Sequence, residues 1–200
     1  SEEPVINFTY TDACYGNETE FDAVTTSNVL TYAWTFGDGA TSSEQSPTHI
    51  YNSTGDFLVT LSIVTNDNCT AIISHTVRVN PLPNPNFDHS APACLNDLVE
   101  FTDLSTSPNG LIVTWLWDYG DGNTTTITAP DNPDVSHQYA LDGIYSVSLT
   151  VTDEDGCENE LIVQVEVVSS PIANYSYEET CYNVPVLFTD LSTPAGGYDI

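Results

Sequence analysis

The stretch YAWTFGDGATSSEQSPTHIY, Tyr32 to Tyr51, is centred on a Gly-Asp-Gly triplet that is either a tight turn or a loop built to hold a ligand. It has a near copy in WLWDYGDGNTTTITAPDNPDVSHQY, Trp115 to Tyr139. Working outward from the two triplets, the whole chain aligns with itself. Phe8 matches Phe87 and Tyr175, and Phe21 matches Phe101 and Phe188. His49 and Tyr51 match His137 and Tyr139, and Cys69 matches Cys157. Cys14 matches Cys94 and Cys181. The large insertion falls between each triplet and its following His-x-Tyr, which is how a loop behaves. The alignment predicts one domain over 1–80, a second over 81–169, and the truncated start of a third over 170–200.

Inside a unit the apolar period is two. FLVTLSIVT alternates through Phe57, Val59, Leu61 and Ile63, and YSVSLTVT through Tyr145, Val147, Leu149 and Val151. Such alternation marks half-buried antiparallel strands. The runs are rich in Val, Ile, Thr, Tyr and Phe and are broken at short intervals by Gly, Asn, Asp and Pro. No stretch carries a helical period. Each unit has room for about seven short strands in two packed sheets. Pro81, Pro83 and Pro85 in the first joint favour extended, stiff backbone. The expected architecture is all-β: tandem sandwiches arranged as an elongated rod.

Charge limits the partners. Twenty-nine acidic residues face a single base, Arg78, for a formal net charge of −28. Such a surface repels nucleic-acid phosphates and anionic lipid heads, so neither nucleic acid nor membrane insertion is expected. No apolar run approaches the length of a membrane span. The carboxylates are spread along the chain, which favours plain solubility and self-repulsion over a dedicated cation site.

Five cysteines occupy matched places, one before the FxD/FTD strand and one after the long alternating strand. The expected pairs lie within units, Cys14 with Cys69 and Cys94 with Cys157. Cys181 is left with a partner beyond the chain end. Disulfides imply an oxidising, extracytoplasmic home. The alternative, free buried thiols, is disfavoured by the repetition.

Gly37, Asp38, Gly39 and their counterparts Gly120, Asp121, Gly122 read first as structural turns. Glycine permits positive φ, and the aspartate caps its own turn. Trp34 and Trp117 are placed in the core. His49 and His137, with no paired nucleophile, read as hydrogen-bonding structural residues. His75 and His89 read as surface residues. The hairpins TNDNCT and TDEDGCEN offer calcium candidates in Asp67, Asp153 and Asp155. Calcium takes six to eight oxygens, however, and a solvated turn is the preferred reading. No P-loop, G-x-S-x-G or H-E-x-x-H occurs, and no catalytic residue or obligatory cofactor is assigned.

The segments WTFGDG…PTHIY…GDF and WDYGDG…SHQY…GIY resemble the PKD (polycystic kidney disease) domain family. The resemblance covers both complete units and the start of the third. Thr35 departs from the family acid after the tryptophan, which Asp118 keeps, and Val135-Ser136 stand where the proline before His137 is usual. The resemblance implies immunoglobulin-like sandwiches in an extracellular or cell-surface setting. The cysteine-bearing openings are similar to arrays in large Bacteroidetes-type surface and gliding-motility adhesins. They imply a non-catalytic stalk or filament whose partners are neighbouring repeats and, at most, surface polysaccharide or protein. The alternatives are a carbohydrate- or protein-binding accessory module of a secreted enzyme, and a surface-layer component.

Overall fold

The computed structural model describes residues 4–11 and 13–194. Every regular element among them is a strand. The first repeat supplies β1 (Ile6–Tyr10), β2 (Ala13–Cys14), β3 (Glu18–Thr25), β4 (Val29–Thr35), β5 (Thr41–Ser42), β6 (Thr48–Ile50), β7 (Gly55–Thr65) and β8 (Thr70–Asn80). The second supplies β9 (Phe87–His89), β10 (Ala93–Cys94), β11 (Leu98–Asp103), β12 (Ile112–Asp118), β13 (Thr124–Thr128), β14 (Val135–Gln138), β15 (Gly143–Asp153) and β16 (Glu158–Val168). A last hairpin pairs β17 (Tyr175–Tyr177) with β18 (Phe188–Asp190).

Each repeat forms two sheets of the same order. The first has β1-β3-β6 and β2-β8-β7-β4-β5, and the second has β9-β11-β14 and β10-β16-β15-β12-β13. The short β2 and β10 run parallel to the ends of β8 and β16, pairing Cys14 with Asn80 and Cys94 with Val168. The period of two does what it predicts. In β7, Val59, Leu61, Ile63 and Thr65 are buried, and in β15 Val147, Leu149, Val151 and Asp153 are buried. The intervening residues are intermediate, and Leu58 near the start of β7 is exposed.

In the first repeat the inward faces meet as one core of Phe8, Phe21, Trp34, Phe36, Tyr51, Val59, Leu61, Ile63, Val77 and Val79. Phe8 meets Trp34 edge-on at 5.2 Å, and in the second repeat Phe87 meets Trp117 edge-on at 5.1 Å. Both indoles find an acceptor: Trp34 Nε1 donates to Glu44 O (2.9 Å) and Trp117 Nε1 to Pro133 O (3.1 Å). That is what a buried tryptophan requires.

Contacts divide the chain into two compact units whose borders differ from the repeat borders. One comprises Ser1–Asn84, Thr106–Val113 and Val151–Asn159, the other Pro85–Ser105, Thr114–Thr150 and Glu160–Ile200.

Candidate functional sites: the Gly-Asp-Gly turns, the acidic hairpins and the cysteines

The first Gly-Asp-Gly follows β4 directly. Gly37 and Gly39 take φ of 87° and 100°, and the Phe36 amide closes the turn on Ala40 O at 3.1 Å. Asp38 Oδ1 accepts from the Ala40 amide at 3.0 Å, and Oδ2 accepts from His49 Nε2 at 2.8 Å. The ionised carboxylate has no proton to give, so Nε2 carries it. The imidazole stacks on Phe36 (4.3 Å, 9°) and meets Tyr51 edge-on (4.6 Å). Fully buried Tyr51 donates its hydroxyl to Phe36 O at 3.2 Å.

The second repeat rebuilds this clamp. Asp121 Oδ1 accepts from the Asn123 amide (3.0 Å), and Oδ2 from His137 Nε2 (2.8 Å) and Asn123 Nδ2 (3.1 Å). His137 stacks on Tyr119 (4.0 Å, 4°), and Tyr139 donates to Tyr119 O (3.1 Å). Asp118, the acid that Thr35 replaces in the first repeat, caps the Gly120 amide at 2.9 Å.

Electrostatics follow from this geometry. Burial alone would push the Asp38 carboxyl up, but the Ala40 amide and the His49 imidazole outweigh it and hold it below its ordinary 3.8. Asp121 shows the same balance, with burial opposed by His137 and by the Asn123 amide and side chain. Burial, reinforced by the neighbouring aspartate's charge, pushes the Tyr51 and Tyr139 phenols up, so both stay protonated donors. Each histidine thus spends Nε2 on an aspartate and its ring on two aromatics. The arrangement ties loop to core, and no serine or cysteine hydrogen-bonds to either imidazole among the described residues. The sequence reading placed the glycines, the aspartate cap and the tryptophans as found. It did not pair the aspartates with the histidines, although the matched His-x-Tyr after each triplet was the available signal. His75 departs from the surface reading: its ring meets Phe8 edge-on at 4.6 Å, and Nε2 bonds Asn7 Oδ1 at 2.8 Å.

The acidic hairpins are closed by their own backbones. The Thr65 amide donates to Cys69 O (2.9 Å), and the Asp153 amide to Cys157 O (3.0 Å). Asn68 and Gly156 take the left-handed position with φ of 59° and 78°. Asp153 is only 2% exposed. Its Oδ1 accepts from the Asp155 and Cys157 amides (3.1 and 3.0 Å), and its Oδ2 from Ser107 Oγ (3.0 Å). Of the calcium candidates, Asp153 therefore spends one oxygen on its own turn and the other on Ser107. Among the described residues no three His, Cys, Asp or Glu side chains converge as a metal cluster.

The cysteines require a correction. Cys14 is bonded to Cys157, with Cα atoms 5.7 Å apart and a separation of 143 positions in sequence. The reason lies in strand length. Cys14 sits beside Asn80 at the end of β8, whereas Cys69 immediately precedes Thr70 at its start. Eleven residues of strand separate those points by about 35 Å, far beyond the reach of a disulfide. Cys94 beside Val168 and Cys157 before Glu158 are kept apart by β16 in the same way. Within-repeat pairing is therefore impossible in this fold. Cys94 and Cys181 are unbridged.

Over 82 residues the chain is 43% identical to a microbial collagenase of Vibrio alginolyticus, covering 40% of this chain and 10% of that protein. Over 86 residues it is 37% identical to collagenase ColA of Bacillus cereus, covering 42% of this chain and 8% of that one. The chain thus spans about a tenth of the length of these relatives. Among solved structures, the PKD1 domain of Vibrio anguillarum Epp is 30% identical, with a TM-score of 0.38, covering 44% of this chain and 95% of that one. The PKD domain profile matches twice, over residues 1–81 and 80–167, and the chain belongs to the PKD domain family.

Proposed function

We propose that this chain is a non-catalytic, extracellular spacer segment in which tandem PKD sandwiches, arranged as a rod, carry load between other parts of a larger protein. On this reading it serves as a stalk for cell-surface adhesion or gliding motility. The observation that carries the reading is the Cys14–Cys157 bond, which joins the β8-end of one repeat to the β15–β16 turn of the next and so ties the two repeats together covalently. The Asp–His clamps support it, since their polar groups are spent on holding loops. The enzyme relatives support an accessory role for the module and leave its service in this chain open to experiment. Small-angle scattering on residues 1–169 without reductant tests the proposal. A rod-like profile unchanged by calcium supports it, while a compact profile, or compaction on adding calcium, refutes it.

A second reading, a carbohydrate- or protein-binding accessory module, is favoured by one observation. Tyr10 and Tyr15 are 43% and 45% exposed beside the first cysteine. Polysaccharide affinity electrophoresis decides it: retardation abolished by Tyr10→Ala or Tyr15→Ala would establish this reading over the spacer.

A further inference from the structure

The bonded pair Cys14 and Cys157 lies within one compact unit, and the joint and the cysteine turn that accompany it are built again further along the chain. After β8 the chain forms an antiparallel bridge at Asn84↔Thr106, with hydrogen bonds of 2.7 and 3.1 Å. The Asn86 amide donates to Ser105 Oγ (3.1 Å) and the Leu104 amide to Asn86 O (2.8 Å). After β16 the chain repeats each step. Ile172 bridges Thr193 with bonds of 3.0 and 2.9 Å, the Asn174 amide donates to Ser192 Oγ (3.1 Å), and the Leu191 amide to Asn174 O (2.9 Å).

The cysteine turns repeat as faithfully. The Tyr15 amide donates to Asn80 O (2.8 Å) and the Asn17 amide to Cys14 O (3.1 Å). The matching bonds are Leu95 to Val168 O (2.7 Å) and Asp97 to Cys94 O (2.9 Å). Cys94 therefore holds, in the second unit, the place that Cys14 holds in the first. Among the described residues, the second unit has no counterpart of the β15–β16 turn that presents Cys157.

The last hairpin says what would bring that turn. Tyr175 and Phe188 are 63% and 62% exposed. Their counterparts Phe8 and Phe21 are 4% and 2% exposed, and Phe87 and Phe101 are 7% and 1%. In both complete repeats these rings are covered by the tryptophan of the opposite sheet, Trp34 or Trp117. The β17–β18 hairpin is thus one uncovered face of a third sandwich, entered through the same joint.

We propose that Cys94 is the site of a second cross-link of the same kind, bonding to the hairpin cysteine of a third PKD sandwich built on β17 and β18. The Cys14–Cys157 bond is then one rung of a repeating pattern in which each sandwich is bonded to the next. Formation proceeds by exchange with a disulfide oxidant. The two thiols together give up two protons and two electrons and one S–S bond forms, while the oxidant's own S–S bond breaks to yield two thiols.

Trapping with iodoacetamide in denaturant, without reduction, followed by peptide mapping with an acid-directed protease, tests this on the 200-residue chain. Cys94 and Cys181 are expected fully alkylated, with Cys14 linked to Cys157. Any bond from Cys94 to another cysteine of this chain overturns the proposal. The second measurement extends the chain, following residues 1–193 with a copy of residues 107–169 so that the third sandwich is completed. Alkylation of Cys94 is then expected to fall at least tenfold, with a new peptide linking Cys94 to the copy of Cys157, while Cys181 stays alkylated. Cys94 remaining alkylated while the added tryptophans report a folded third sandwich overturns the proposal.

Discussion

The two glycines of each turn differ in a way that predicts unequal sensitivity to a single methyl group. A Cβ on Gly37 would lie 2.9 Å from both the N and O of Leu58, and a Cβ on Gly120 would lie 2.6 Å from Ser146 O. Those are backbone atoms of β7 and β15, held in sheets, and they cannot swing aside. A Cβ on Gly39 or Gly122 meets nothing within 4 Å. All four residues have positive φ. Gly39→Ala therefore carries only the conformational cost of an L-residue there, about 1–2 kcal/mol. Part of that is offset by the smaller entropy of the unfolded chain, leaving about 1 kcal/mol. Gly37→Ala carries the same cost plus the displacement of β7, which by the usual cost of overpacking adds about 1–3 kcal/mol. The expected gap between the two variants is about 2 kcal/mol. Urea unfolding read by tryptophan fluorescence measures it, since Trp34 and Trp117 are both buried. With a slope near 1 kcal/mol/M for domains this small, the gap is about 2 M in midpoint. Gly120→Ala against Gly122→Ala repeats the test independently. Equal destabilisation within either pair would refute the close-approach argument and reopen the triplet as a loop shaped to hold a ligand.

The clamps give a pH signature. Because the folded Asp38 and Asp121 carboxyls sit below their ordinary 3.8, their contribution is present above that value and is lost as pH falls through the folded values. Acid unfolding of Asp38→Ala is expected to flatten there, with about 1–3 kcal/mol already lost at neutral pH, and an unchanged acid limb would count against the clamp. Cys14→Ser and Cys157→Ser are expected to lower the thermal midpoint equally without reductant, with the double variant no worse than either. Calorimetry showing additive losses would mean that the two do not share one bond. Asp153→Ala strands three donors in a buried turn and is expected to cost about 3 kcal/mol or more, whereas Asp155→Ala is expected to cost under about 1 kcal/mol. Chemical denaturation with the order reversed would return Asp155 to candidacy as a working ligand.

Most of the sandwich was legible because burial in a strand repeats every second residue, and Val59-Leu61-Ile63 and Val147-Leu149-Val151 obey that rule. The Gly-Asp-Gly turns were legible because their backbone needs are local. What escaped were relations between distant residues. The cysteine spacing suggested proximity within a repeat, yet β8 and β16 are long, unbroken strands that carry Cys69 and Cys157 away from Cys14 and Cys94 respectively. Reading the strand lengths as distances would have excluded the expected pairs, although it would not have supplied the right one. Asp153 was read as a possible ligand because it is acidic and near a glycine. Its register, inward-facing at the end of β15 where Thr65 ends β7, marked it instead as a cap.

The Cys14–Cys157 bond also alters what tension does to this chain. A force applied between the N-terminal strand and any point beyond β16 passes through the sulfurs and bypasses the stretch between two cysteines 143 positions apart. Those residues can unravel thermally but cannot lengthen the molecule. Reduction would release them, freeing up to about 500 Å of contour. The extensibility of that stretch is therefore set by the thiol chemistry of the surroundings rather than by the strength of the sheets: it adds no length when the bond is oxidised and its full contour when the bond is reduced.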